Sequence, residues 1–238
     1  MSDIRQHRGA HPEDRKLFAA DQLPKLRVAV SELSWLLTRD YAMKSTLKLV
    51  GDRYELTERQ RLAISRAACS DQSQSRRIAR ELFASDIVSA DLLIDGFNLI
   101  VTVEAALSSG VIIRGRDGWW RDLSSVHGSY RAVDETIPAI SLVGESLASL
   151  QPASVRWLLD RPISNSGRLA KRIRDLAEVN HWIWTVDVVF NPDAEMIESN
   201  WIVISSDSHV LDRADRLFNL NAYLIEKVLA EAWLIDLS

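Results

Sequence analysis

Four aspartates, Asp95, Asp160, Asp193 and Asp207, each stand at or just beyond the end of a short apolar run in this chain of 238 residues. Leu92-Leu93-Ile94 runs into Asp95-Gly96, Val155 to Leu159 into Asp160, and Trp201 to Ser206 into Asp207. The run Trp182 to Phe190 is followed by Asn191-Pro192-Asp193. Continuous apolar runs are the pattern of fully buried parallel strands, and open α/β sheets bind ligands outside the strands' carboxyl ends. If the runs are neighbouring strands, the four carboxylates converge on one cleft. There they repel, and each raises its neighbours' pKa unless a cation intervenes. The matching cation is Mg²⁺ or Mn²⁺, which takes oxygen ligands and keeps several waters. Such a site can hydrolyse a phosphodiester without a side-chain nucleophile. Glu104, on the helix after the first strand, is a candidate further ligand. The structural alternative for each aspartate is a helix cap, because an Asp after a strand commonly caps the next helix.

Other chemistries lack their fingerprints. The sequence has no G-x-G-x-x-G after a strand, no P-loop and no G-x-S-x-G elbow. Five His and one Cys give no zinc spacing. An aspartyl-nucleophile phosphatase would want an acid at position 97, which is Phe97.

The elements that must position the aspartates follow from the alternation of apolar runs and helical segments after residue 90, the pattern of a parallel sheet flanked by helices. Strands are expected at 91–95, 154–160, 182–190 and 201–205, with helices at 97–108, 134–150, 166–179 and 208–217. The end of the chain reads as helical, with a candidate edge strand at 222–225. Residues 111–121 form two runs around Asp117-Gly118, a hairpin signal, inside an insertion spanning 111–131. Arg114, Arg116, Trp119, Trp120 and Arg121 give that insertion a basic, aromatic character suited to single-stranded nucleic acid. A packed hairpin with both tryptophans in the core is the competing reading. His127 lies in the loop that follows, as a candidate base or nucleic-acid contact.

Upstream, Asp21 is a candidate cap for a helix to Thr38, and Thr57 with Gln60 has capping-box spacing. Asp71 to Ser75 is polar and reads as a linker. The division is therefore a basic helical domain at 1–72 and an α/β domain at 73–238. Residues 1–89 carry 16 Lys and Arg against 12 acids, whereas the remainder carries 13 against 21. A basic part beside an acidic one suits a polyanion held with metal ions. Single Cys69, no basic-then-apolar leader and no membrane-length apolar stretch lead us to expect a soluble, cytoplasmic protein with no membrane partner.

The motif IDGFN at 94–98, with VEAAL at 103–107, the Asp-ended run at 160 and ISSD at 204–207, resembles the PIN-like nuclease superfamily and within it the NYN-type branch. The likeness covers about 90–226. It implies a parallel sheet between helices, an acidic cluster binding Mg²⁺ or Mn²⁺, and cleavage of RNA, less often DNA. Asp95 matches the opening acid, Asn98 the polar residue beside it, Asp207 the late acid and Glu104 a helix acid. Asp160 and Asp193 match at positions of variable spacing. A non-catalytic nucleic-acid-binding protein of the same fold is the alternative, and the sequence leaves a homo-oligomer open. The segments LLTRDYAMKSTLKLVGDRY at 36–54, RGRDGWWRD at 114–122 and HGSYR at 127–131 are also similar to a prokaryotic family of unknown function, which implies no activity.

Overall fold

The computed structural model describes residues 7–124, 128–227, 229 and 231–238. The N-terminal part is helical: α1 (Asp14–Leu17), α2 (Leu23–Leu37), α3 (Met43–Arg53), α4 (Glu58–Ala67) and α5 (Asp71–Arg80). There follow β1 (Asp91–Asp95), α6 (Gly96–Leu107), β2 (Val111–Arg114), β3 (Trp120–Asp122) and α7 (Thr136–Leu150). Then come β4 (Ser154–Asp160), α8 (Ser166–Val179), β5 (Trp184–Val189), α9 (Pro192–Ile197) and β6 (Ile202–Ile204). The chain closes with α10 (Ser208–Leu211), α11 (Leu220–Lys227) and β7 (Trp233–Asp236).

The main sheet is parallel, in the order β5-β4-β1-β6. The chain runs outward from β1 to β4 and β5, then returns to lay β6 on the other flank of β1. The winding therefore reverses at β1, the kind of place where the carboxyl ends of strands leave a crevice. Side chains alternate across the sheet with the two-residue period of a strand. Leu92, Ile94, Val155, Trp157, Leu159, Ile202 and Ile204 enter the core shared with α6, α7, α8 and α11. Leu93, Leu158 and Val203 enter a second core with Met196 of α9, Val210 and Leu211 of α10, and Trp119. Strands β1 and β6 are covered on both faces, which is why Leu92 to Ile94 and Ile202 to Ile204 read as unbroken apolar runs, whereas β4 and the edge strand β5 carry the paired Arg156 and Asp187.

A small sheet, β3-β2-β7, joins the N-terminal helices to the rest. Val111, Ile113, Ile235 and Leu237 share one core with Leu26, Val30 and Leu33 of α2 and Ile64 of α4. The helices at 14–67 thus bury their apolar faces against β2 and β7.

Several local expectations change. Thr57 and Gln60 form the reciprocal capping box, with Gln60 N–H donating to Thr57 Oγ1 at 3.3 Å and Thr57 N–H to Gln60 Oε1 at 3.2 Å. Asp21 is not a cap, since α2 begins after Gln22 with no side-chain cap bond. Residues 71–75 are helix rather than linker. Ser70 Oγ caps α5 by accepting Ser73 N–H at 3.1 Å, and Arg77, almost without exposure, anchors the helix through acids instead of apolar contacts. The helix expected at 208–217 ends at Leu211. Beyond it the chain turns extended along β6, where Val203 N–H donates to Arg216 O at 2.8 Å and Phe218 N–H to Val203 O at 3.0 Å. That pairing satisfies a sheet edge that a longer helix would leave open. Near the C-terminus helix and strand exchange places: 220–227 is helical, and the strand lies at 233–236 beside β2. Among the described residues, no helix is long and apolar enough to cross a membrane.

Candidate functional site

Asp95 ends β1 and caps α6, accepting Asn98 N–H at 3.3 Å. Between them Gly96 turns the chain against β4. A Cβ there would meet Leu159 Cδ2 at 2.6 Å and the Leu158 carbonyl at 3.0 Å, so a larger residue would push Asp95 off the strand end. Asp95 is 3% exposed. Its Oδ2 accepts from Ser205 Oγ at 2.8 Å and from the Asn98 side-chain amide. Ser205 Oγ in turn accepts Asp207 N–H at 3.0 Å, and Asp207 caps α10 by accepting His209 N–H at 2.6 Å. Ser206 Oγ donates to Asn98 Oδ1 at 3.4 Å. The ends of β1 and β6 are thereby tied through polar side chains. The capping role and the clustered role coincide at Asp95 and Asp207.

Asp160 ends β4, two residues beyond Leu158, which lies level with Asp95 in the register. Asp193 lies in the first turn of α9, whose start is set by Asn191 Oδ1 accepting Ala194 N–H at 3.1 Å. Both are half-buried.

Their electrostatics run as a chain of repulsions. Burial pushes the Asp95 carboxyl from the usual 3.8 up to about 7, against the hydrogen bonds from Ser205 and Asn98 and helped by the charge of Asp207. Burial raises Asp160, and the Asp193 charge adds to it. Burial also raises Asp193, with Asp207 adding and His209 opposing. Asp95 and Asp193 thus feel the charge of Asp207, and Asp160 that of Asp193. Nearby arginines are engaged elsewhere: Arg156 holds Asp187 at 2.7 Å and Glu195 at 3.0 Å, while Arg121 holds Asp117 at 2.6 Å.

A cleft of about 330 Å³ opens at these strand ends, lined by Asn98, Asp160, Ser206 and Asp207 together with Arg66 and Asp122. Asp122, at the end of β3, escaped the sequence reading because it follows no apolar run that would mark it as a strand end. Its Oδ2 accepts from Thr102 Oγ1 at 3.0 Å and its Oδ1 from Ser124 N–H at 2.6 Å. Arg66 stands 3.5 Å from Oδ1 and donates to Ser124 O at 2.8 Å, so it walls the cleft instead of lying on a solvated helix face.

The remaining candidates fall elsewhere. Glu104 is fully buried but not with the four aspartates. Its carboxylate is bonded by Arg8, by Tyr130 Oη at 2.5 Å and by Thr136 Oγ1 at 2.5 Å. Unlike Asp95, Glu104 has a guanidinium, that of Arg8, among its partners, so its charge is already matched and it sits as a structural anchor and not as the ligand expected from the sequence. The hairpin turns both tryptophans and Arg121 inward. Trp119 is 1% and Trp120 8% exposed, each packed in a core, and Arg121 is buried. Arg121 Nη1 and Nη2 grip Asp117, and its Nε donates to Ser206 O at 2.9 Å, so it braces the loop before Asp207 from below. Asp117 also receives Arg77, and these two guanidinium groups, against the cost of burial, hold its carboxyl down at about 2. Arg114 pairs with Asp236 at 3.2 Å and Arg116 with Asp71 at 2.6 Å. His127 lies outside the described residues.

The fold and cleft define an α/β protein whose parallel sheet gathers aspartates at one edge. Residues 84–223 match the family described as a domain of unknown function (DUF5616), and residues 25–80 match a protein family of unknown function (DUF434). The chain belongs to the DUF5616 family. It is 31% identical over 185 residues to "Uncharacterized protein MJ0935" of Methanocaldococcus jannaschii, an alignment covering 77% of this chain and 87% of that protein. No solved structure matches it.

Proposed function

We propose that the cleft is the active site of a metal-dependent nuclease of PIN-like type, acting in the cytoplasm on nucleic acid, RNA before DNA. The observation that carries this reading is the placement of Asp95, Asp160, Asp193 and Asp207 at or just beyond the carboxyl ends of neighbouring strands of one sheet, where the charge of Asp207 bears on Asp95 and Asp193 and that of Asp193 on Asp160. Ionised together they destabilise the fold, and a divalent cation relieves that cost. The donor set is oxygen only, which fits Mg²⁺ or Mn²⁺. Among the described residues no three His, Cys, Asp or Glu side chains are grouped to hold one ion. The fit is therefore to an ion held by one or two carboxylates and completed by water, as Mg²⁺ prefers.

Asp95 and Asp207 are the principal ligands in this reading, supported by Asp160 and Asp193. When bound, the cation supplies a lowered water pKa and charge compensation for the phosphate. The chain's own part is positional. Ser205 and Asn98 fix the Asp95 carboxylate, Asn98 faces the cleft, and Asp160 is available to accept a proton because burial and Asp193 raise its affinity for one.

A second reading, a PIN-like protein that binds nucleic acid without turnover, draws on the open ligand shell just described. The two part in one assay. Purified chain is incubated with labelled single-stranded RNA in Mn²⁺ or EDTA, beside Asp207→Asn. Cleavage by the native chain in Mn²⁺ only, lost in the variant, is expected. Salt-sensitive binding with no product in Mn²⁺ supports the second reading and sinks the first.

A further inference from the structure

Next to Val189, which pairs with the cleft residue Asp160, stands an exposed aromatic residue. Phe190 follows β5 directly and is 72% exposed. The Arg161 guanidinium lies over its ring, 4.6 Å from the centroid. Arg161 is the residue after Asp160, and its backbone N–H donates to Val189 O at 2.7 Å, so strand pairing extends to the foot of the pair. Phe190 is also three residues before Asp193, whose charge reaches Asp160. The ring and the guanidinium are thus held beside Asp160, which lines the cleft, and close in sequence to Asp193, with the guanidinium over one ring face and most of the side chain open to solvent.

We propose that Arg161 and Phe190 form a stacking platform for an unpaired base of single-stranded nucleic acid whose phosphate enters the acidic cleft. This deepens the nuclease reading and rests on it for the position of the phosphate. Exposure of a phenylalanine confers no benefit on folding, whereas an open aromatic face stacks on any base. Arg66 in the cleft wall is already engaged with Asp122 and Ser124, so Arg161 adds a second cation beside the acids to attract a polyanion. A guanidinium suits this place because it stacks on the ring and still offers N–H groups to phosphate. A base within a duplex is covered on both faces by its neighbours, so this platform selects single strands. It reads a ring face and not the sugar, so RNA and DNA single strands share it.

The test is fluorescence anisotropy with the full chain and labelled oligouridylate, oligothymidylate and a duplex of equal length. Binding is measured in EDTA and in Ca²⁺, and cleavage separately in Mn²⁺. Phe190→Ala is expected to weaken binding of both single strands by about 5- to 100-fold, the range for loss of one aromatic stack. Phe190→Trp is expected to restore it, and duplex binding to be weak and indifferent to either change. Because Phe190 is exposed, circular dichroism and the melting midpoint of Phe190→Ala should match the native chain. Native-like single-strand binding by Phe190→Ala overturns the platform, as does failure of the native chain to bind any oligonucleotide. Phe190-dependent binding without cleavage in Mn²⁺ rejects the nuclease and keeps the platform. Cleavage with KM unchanged in Phe190→Ala keeps the nuclease and rejects the platform.

Discussion

Replacing Asp95 by Asn should stabilise the metal-free protein at neutral and alkaline pH. The Asp95 carboxyl has a folded pKa of about 7 against the ordinary 3.8, chiefly because it is buried. A carboxyl with a raised folded pKa favours folding while protonated. Its contribution is fully present below about pH 4 and is lost as pH rises through about 7. The difference corresponds to about 4 kcal/mol once the group is ionised in the native state. Asparagine removes that charge but turns one acceptor into a donor. If Asn keeps its oxygen on Asn98 N–H, its amide nitrogen faces Ser205 Oγ and the Asn98 side chain, both donors in the native chain. Ser205 can rotate to accept. The Asn98 amide can flip, because its other partner, Ser206 Oγ, is also a hydroxyl that can reverse its role. The rearrangement should cost about 1–2 kcal/mol. A net gain of about 2–3 kcal/mol follows, which at ~2–4 °C per kcal/mol for a chain of this size is a rise of several degrees. The assay is thermal melting in EDTA at about pH 5 and about pH 8, native chain beside Asp95→Asn. The gain should be present at the higher pH and shrink or vanish at the lower. Saturating Mn²⁺ should then raise the native midpoint and leave the variant's unchanged, since only the native site binds it. A variant less stable than the native chain at pH 8 in EDTA, or an identical offset at both pH values, would refute the argument from burial and repulsion.

Two further perturbations separate anchoring acids from cleft acids. Glu104→Ala strands Arg8, Tyr130 and Thr136 around an uncompensated gap. It should lower stability in urea by about 3–5 kcal/mol while any Mn²⁺-induced rise in midpoint persists; loss of that rise would return Glu104 to the metal site. Asp117→Ala leaves Arg77 and Arg121 buried without their shared carboxylate and should cost a similar ~3–5 kcal/mol. Because the Asp117 carboxyl is held down at about 2, the stability it supplies is present above about pH 4 and lost as pH falls through about 2. The penalty measured by urea unfolding should therefore shrink below pH 4, and a penalty that grows there would contradict the ion-pair account.

The sequence by itself determined the main sheet and the strand-end aspartates. Buried parallel strands are covered on both faces, so β1 is an apolar run ending at Asp95, and β4, broken only by Arg156, is one ending at Asp160. The Thr57–Gln60 box was equally legible, because capping is a contact between residues three apart. What was not legible depends on contacts between distant parts of the chain. Glu104 and Asp207 are both acids near apolar segments, and only the packing of Arg8, Tyr130 and Thr136 around one of them separates anchor from site. Trp119, Trp120 and Arg121 spell an exposed aromatic and basic arm in one dimension, yet β3 packs against β2, α6 and α11. Asp117 then supplies the charge that lets Arg121 be buried. The segment 71–75 lacks apolar residues and still forms a helix, since Arg77 docks it on acids 40 and 135 residues away. The strand at 233–236 exists because β2 offers it an edge. Local patterns record which faces are buried; which partner does the burying is decided only when the tertiary structure brings distant residues together.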